Sequence, residues 1–514
     1  MRRFETIVAF FIFCFIKSAL EVGVEIGTII ASIVNEIINK QLLMSSISKT
    51  YCKSRILSDR REGILQHFDL IVIGAGPGGY VAAIRAAQKG KKVAIIEKSS
   101  LGGTCLNVGC IPSKTFLQHS EWINNIKKAN RHGISAEVQH IDYERLVERK
   151  EKVVGTLVHG IEYLLRKNNI TLIKGEATVV ESLVVVVNNQ QFKGRDIILA
   201  TGSRPFVPQI KGLDQVSYHT TDSFFNLKEQ PKDLIIIGGG VIGIELAFAM
   251  APLGTKVTVV EVADDILLKE DADAREQIKK KMDQLEIAYY TKANILEVTP
   301  DDVDLKDQKI PYTTLLVATG RRANIEIAHD LHLELDDKKK FIKVNSNYLT
   351  SKNHVYAIGD VIGGYQLAHA ASQEGLVAVS AILNEQHPTL HQDEIPRCVY
   401  THPEIASFGL NEEEAKAKGY DVITKKMSFN SNGRAIAMDE TDGFVKIISE
   451  KNDHEILGAV VVGANASELL NQILAVKHSE GRIEELSTLI YGHPNLSETI
   501  GETTESMLFK AIHE

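Results

Sequence analysis

Cys105 and Cys110, in the run Gly-Gly-Thr-Cys-Leu-Asn-Val-Gly-Cys-Ile-Pro-Ser-Lys, are the side chains whose type and spacing carry chemistry most directly. Their separation is longer than that of the thioredoxin-like pair, and Gly102, Gly103 and Gly109 leave the backbone free to approach a flat cofactor closely. Pro112 suits a first helical turn and Thr115 to Ala129 has helical composition. Cys110 would then stand where backbone N–H groups and the helix dipole favour a thiolate. Two buried structural cysteines are the plainer alternative. The pair, however, follows closely on a dinucleotide-binding fingerprint, where two thiols can exchange electrons with a bound flavin.

That fingerprint occurs twice. Asp69 to Lys98 and Asp233 to Val262 are near-repeats, each an apolar strand, a glycine-rich turn, an Ala-rich helix, a second strand and a terminal Glu. Gly74, Gly76 and Gly79, and again Gly238, Gly240 and Gly243, permit the tight turn, the approach of pyrophosphate to backbone and the packing of helix on strand. The pyrophosphate then lies at a helix N-terminus. Glu97 and Glu261, at matching offsets, can accept hydrogen bonds from ribose hydroxyls. Cys105 follows Glu97 closely, so the first unit should hold the flavin, FAD, and the second the nicotinamide. Glu261 is followed by Val262, Ala263, Asp264 and Asp265, with no Arg or Lys placed nearby to meet a 2′-phosphate, so NAD is expected and NADP is not.

The cysteine segment resembles the redox-active disulfide segment of the flavoprotein disulfide reductases, and within them the dihydrolipoyl dehydrogenase family. The resemblance runs from about His67 to the C-terminus and includes Tyr400-Thr401-His402-Pro403-Glu404, Asn432-Gly433-Arg434-Ala435 and Asp439-Glu440-Thr441-Asp442-Gly443-Phe444. It implies that Lys114 extends beside the flavin N5 and pairs with Glu245, a cation that would stabilise charge developing on a reduced flavin. It also implies that Asp360, after the strand Val355 to Ile358, binds the ribityl chain, with Ala368 and His369 following. Ala200-Thr201-Gly202 and Ala318-Thr319-Gly320 resemble the paired crossover strands between nucleotide domains, which adds Gly202 to the FAD set and Gly320 to the NAD set; the resemblance also implies Gly175 as a FAD contact. Solvated surface residues, a helix cap and plain turns are the plainer readings of these segments.

His493-Pro494-Asn495-Leu496-Ser497-Glu498 resembles the family's His-Pro-Thr-Leu-Ser-Glu. Exchange with a neutral dithiol needs a base, and His493 is the candidate, with Glu498 holding the imidazole in one tautomer. Asn495 and Glu498 could equally form a capping box opening the last helix. Asn495 replaces the usual threonine, and Tyr491 stands where many members carry another histidine; neither change removes the base or its partner. In the family this histidine serves the other subunit's site, so the resemblance implies an obligate homodimer. Relatives that use NADP carry arginines after the second nucleotide strand, mercuric reductase has a C-terminal cysteine pair, and the soluble transhydrogenase lacks the disulfide. The lipoyl domain of a 2-oxo acid dehydrogenase acyltransferase (E2) or a glycine-cleavage H-protein is the implied partner. A docking subunit would have no use for Lys114, His493 and Glu498.

These parts imply an α/β chain of two Rossmann-like dinucleotide-binding domains, for FAD and NAD, plus a C-terminal α+β dimerisation domain. The expected limits are an extension over 1–66, the FAD domain with the cysteine pair over 67–204, the NAD domain over 205–322, a central domain over 323–393 and the dimerisation domain over 394–514. A length of 514 residues suffices for such a set. The net charge of −8 argues against a nucleic-acid partner. No metal site is expected. Cys14, Cys52 and Cys398 are scattered, which fits a reducing cytoplasm better than a disulfide scaffold. Arg2 and Arg3 precede an apolar run from Ile7 to Ile16, signal-like but too short to span a membrane, and Lys17, Glu21 and Glu25 interrupt its extension. Export or anchoring is the lesser alternative to a cytoplasmic protein, and a start at Met44 is another reading of the same residues.

Overall fold

A computed structural model describes residues 65–180, 183–387 and 389–513. The apolar run from Ile7, Met44, Cys14 and Cys52 lie outside the described residues.

Both glycine-rich repeats fold as strand, turn, helix and strand. In the first, the strand Gln66–Ile73 leads into helix α1, Pro77–Gln88, and returns as the strand Val93–Glu97. In the second, the strand Asp233–Ile237 is followed by α3, Val241–Met250, and the strand Lys256–Val260; α2, Cys110–Ala129, lies between the repeats in sequence. The first strand pairs in parallel with Val93–Glu97 on one side and Gln190–Leu199 on the other. Residues 70–73 are buried on both faces, which is why the sequence reads as a continuous apolar run rather than an alternating one. The second unit is a four-stranded parallel sheet.

Two later segments return to the first sheet. Val355–Ala357 adds a parallel strand against Gln190–Leu199, and α4, Ala368–Ile382, packs along α1. That contact is backbone to backbone: a Cβ on Gly78 would come within 2.8 Å of the Ala371 carbonyl oxygen, and one on Gly375 within 2.8 Å of that of Gly78. The strand ends at Ala357, one residue short of expectation, because Gly359 takes φ +74° and turns the chain. Ala200-Thr201-Gly202 and Ala318-Thr319-Gly320 lead directly into Ser203–Pro205 and Arg321–Ala323, which pair antiparallel with each other. A five-stranded antiparallel sheet with helices forms the C-terminal part. Among the described residues no helix is long and apolar enough to cross a membrane.

The end of α2 is tied to the C-terminal part by charge. Lys128 Nζ donates to the carbonyls of Met438 and Asp439 and to Glu440 Oε1 at 2.9, 2.6 and 2.8 Å, and His402 Nε2 lies 3.3 Å from Glu440 Oε2. Burial alone would raise the Glu440 carboxyl, but His402 and Lys128 outweigh it and hold it down at about 2, against an ordinary 4.5. A depressed carboxylate contributes stability that is present above its unfolded value and lost as pH falls through the folded one. Thermal unfolding should therefore lose midpoint steadily between pH 4.5 and 2, and Glu440→Gln should lower the midpoint at neutral pH and flatten that acid limb. An unchanged acid limb in the variant would exclude Glu440 from it.

Candidate functional site

The two glycine turns open on one cavity of about 2040 Å³, well above the roughly 300–1,000 Å³ of an ordinary small-molecule pocket. Gly74 and Gly238 have φ of +103° and +118°, and a Cβ on either would strike a carbonyl oxygen, Ala200 at 2.2 Å or Ala318 at 2.4 Å. Gly76 and Gly240 cap α1 and α3, and a Cβ on either would meet nothing within 4 Å. Each turn thus leaves open space in front of a helix N-terminus, the shape that a pyrophosphate fills. Gly79 and Gly243 serve packing, since a Cβ on them would lie 1.9 and 2.0 Å from the oxygens of Gly74 and Gly238. Of the glycines predicted to approach a cofactor, Gly243 and Gly102 are not on the cavity wall. These cradles fit two dinucleotides.

The acidic residues at the strand ends are held alike. Glu97 accepts from the N–H groups of Ala75 and Ser99, both at 2.8 Å, and Glu261 from those of Gly239 at 2.6 Å and Ala263 at 2.7 Å. At the second site the expected row of unopposed acids is not found. Asp265 does not face the ribose end as a free anion, because Arg275 and Lys279 lie 2.9 and 3.3 Å from its Oδ2. Both cations come from the helix Ala272–Gln284, which folds back towards the strand end. Exposed Asp264 likewise has Lys292 Nζ 3.7 Å from its Oδ1, so repulsion of a 2′-phosphate falls to Glu261.

Cys105 lies in the short helix Gly103–Asn107, and Cys110 is the first residue of α2, so the sulfur of Cys110 sits at the positive end of a twenty-residue helix. Both are free thiols and are hydrogen-bonded to each other. The hydrogen bond from Cys105 and the charge of Lys114 lower the Cys110 thiol to about 7, while Cys105 moves the opposite way as the partner that keeps its proton. Lys114, one turn along α2, donates to Glu245 Oε2 at 2.7 Å, and Glu245 is only 4% exposed. Ser113 Oγ donates to the same oxygen at 2.9 Å, and the Tyr400 backbone N–H to Oε1 at 3.0 Å.

Asp360, in the short helical turn Gly359–Ile362, lines the cavity with Gly175, Gly202, Gly320 and Ala368. Its carboxylate accepts from Ser203 Oγ, which also accepts from Arg321 Nε at 2.7 Å. Glu374 of α4 accepts from the Gly359 N–H at 2.6 Å, and burial pushes its carboxyl up to about 7. Sequence reasoning missed Ser113, Ser203, Arg321, Glu374, Tyr400 and Cys398. Arg321 was within reach, since it follows Gly320 directly; Tyr400 belongs to a family-like phrase but lies 155 residues from Glu245, and nothing local ties the two.

His493 and Glu498 are brought together but not to the cysteines. His493 Nδ1 lies 2.7 Å from Glu498 Oε1, while Glu498 Oε2 accepts from the Asn495 N–H at 2.7 Å and Asn495 Oδ1 from the Glu498 N–H at 3.1 Å. The capping box and the histidine pair coexist at the start of α5, Glu498–Leu508. His493 is 80% exposed at its side chain and is not part of the cavity wall. One chain therefore separates the candidate base from the thiols it would serve.

The model of a family described as pyridine nucleotide-disulphide oxidoreductase matches residues 68–375, and that of the dimerisation domain of the same family matches 395–504. A dihydrolipoyl dehydrogenase from Bacillus subtilis (strain 168) is 37% identical over 469 residues, covering 87% of this chain and 99% of that protein. One from Geobacillus stearothermophilus is 40% identical over 463 residues, covering 87% and 97%. Among solved structures, the HOCl-induced flavoprotein disulfide reductase RclA from Escherichia coli aligns with a TM-score of 0.77 at 27% identity, over 85% of this chain and 99% of that one.

Proposed function

The chain belongs to the pyridine nucleotide-disulphide oxidoreductase family, and from that premise we propose that it acts as a dihydrolipoyl dehydrogenase, oxidising protein-bound dihydrolipoamide to lipoamide with reduction of NAD+ to NADH. The observation that carries this reading is the wall shared by the Cys105–Cys110 pair, the Lys114–Glu245 ion pair and both glycine turns. The 35–40% relatives support the substrate. Gly74, Gly76, Glu97, Gly175, Gly202, Asp360 and Ala368 would hold FAD, and Gly238, Gly240, Glu261 and Gly320 would hold NAD. FAD supplies a two-electron carrier between a dithiol and the hydride acceptor NAD.

In the protein's own part of the reaction, Cys105 and Cys110 start as a disulfide. His493 of the partner subunit takes a proton from one substrate thiol, with Glu498 stabilising the imidazolium. The substrate thiolate attacks the Cys105 sulfur; the Cys105–Cys110 bond breaks, and Cys110 leaves as a thiolate. The second substrate sulfur, losing its own proton, attacks the first, the substrate closes to its disulfide, and Cys105 is released carrying a proton. The two electrons now reside on the cysteine pair. The helix N-terminus, Cys105 and Lys114 all favour the anion at Cys110, which makes it the better leaving group.

The partner is the lipoyl domain of an E2 or an H-protein, and the setting is cytoplasmic, which the scattering of the cysteines supports. Anaerobic turnover of dihydrolipoamide with NAD by the FAD-replete protein tests the reading, and no turnover would overturn it. In that assay kcat/KM with NAD should exceed that with NADP at least about a hundredfold, roughly 3 kcal/mol. Glu261 motivates this, and comparable values for the two nicotinamides would refute it.

A further inference from the structure

Lys114 is held from two sides. Its Nζ meets Glu245 Oε2 at 2.7 Å, and on another side it stands 4.4 Å from the centroid of the Tyr400 ring. A single hydrogen bond leaves an ammonium free to pivot about the carboxylate oxygen, and here that oxygen is shared with Ser113 Oγ. The aromatic face removes that freedom, because a cation is attracted to the ring quadrupole only over the face. Tyr400 acts on the carboxylate as well, its N–H binding the other oxygen, Oε1, at 3.0 Å. The ring lies beside Cys398 on the same cavity wall, close enough for the two groups to perturb each other's titration. Tyr400 follows the strand Arg397–Val399, which pairs into the C-terminal sheet, so this clamp reaches the cysteine site from the dimerisation domain.

We propose that Tyr400 is a positioning residue: its ring and backbone N–H fix Lys114 and Glu245 so that the ammonium keeps one position on the wall it shares with the cysteine pair. The proposal rests on the reading of the cysteines given above. The charged and titratable groups around the ammonium are Glu245 from α3, Tyr400 and Cys398 from the C-terminal part, and Cys105 and Cys110 from its own helix and the one before. Lys114 favours the Cys110 thiolate, so loosening it raises the pH at which that thiolate forms.

The test is a pH titration of the long-wavelength absorbance of the two-electron-reduced holoenzyme, which reports the Cys110 thiolate beside oxidised flavin. Tyr400→Leu and Tyr400→Met, which delete the ring but keep the N–H, should shift the midpoint upward by about half a unit to one unit. Tyr400→Phe, which keeps the ring, should titrate as the parent does, and Lys114→Gln should shift at least as far as the ring deletions. FAD content is measured on each preparation, and if one ring deletion fails to retain flavin the other decides. Unshifted midpoints in the flavin-replete ring deletions, or a Tyr400→Phe shift as large as that of Tyr400→Leu, would overturn the proposal. A parent enzyme with no long-wavelength band on reduction would overturn the cysteine reading beneath it, a result distinct from an unshifted band.

Discussion

Cys105→Ser is expected to abolish dihydrolipoamide turnover, retain FAD and display long-wavelength absorbance as purified, whereas Cys110→Ser should lose turnover and retain FAD without the band. Flavin retention follows because the glycine cradle and the Asp360–Ser203–Arg321 network do not involve either sulfur. The asymmetry follows from position. Only Cys110 is the first residue of α2, with its thiol lowered to about 7. Since its folded value is depressed from 9.0, the anion and its absorbance are present above about 7 and bleach below it. The largest cause of that depression is the hydrogen bond from Cys105, and a serine hydroxyl can still donate it. Cys105→Ala cannot, so its band should require a higher pH than that of Cys105→Ser. Absorbance in Cys110→Ser instead would reverse the roles of the two sulfurs.

What was legible in the sequence was whatever repeats at short range. Glycines spaced for a turn, an apolar run buried on both faces and a terminal Glu determine a nucleotide unit locally, and the two copies hold Glu97 and Glu261 by equivalent backbone N–H groups. The capping box was legible for the same reason, as a contact between residues three apart. Contacts across long separations left no such trace. The clamp on Lys114 joins α2, α3 and the C-terminal sheet, and nothing near Tyr400 marks it as a neighbour of Glu245. Charge near Glu261 is set by residues beyond its immediate sequence neighbours. Arg275 and Lys279 follow Asp265 by ten and fourteen positions and reach it only through the turn of a helix. Cys398 looked scattered in sequence yet lies on the wall of the same cavity as Cys105 and Cys110.

Replacing His493 with Gln is expected to lower dihydrolipoamide oxidation by about two to four orders of magnitude, the range for loss of a general base, with FAD retained. NADH-driven reduction of an artificial one-electron acceptor should persist, because that route needs no thiol deprotonation. The geometry makes a sharper demand. A base must come within hydrogen-bond reach of the proton it takes, yet His493 is 80% exposed and off the cavity wall of its own chain. Leu489 and Ile490, just before it, are 51% and 95% exposed, apolar surface that a second copy would cover. In a two-fold dimer each site would then combine the cysteines of one chain with the histidine of the other. Mixing Cys110→Ser protein with His493→Gln protein, and allowing subunits to exchange, should therefore regenerate activity from two nearly inactive parents. A mixed dimer has one site with both lesions and one with neither, so equal and random exchange should recover about a quarter of the parental rate. If the two lesions acted within one chain, every site of the mixture would keep one of them. No recovery despite demonstrated exchange would therefore exclude His493 from acting across the interface.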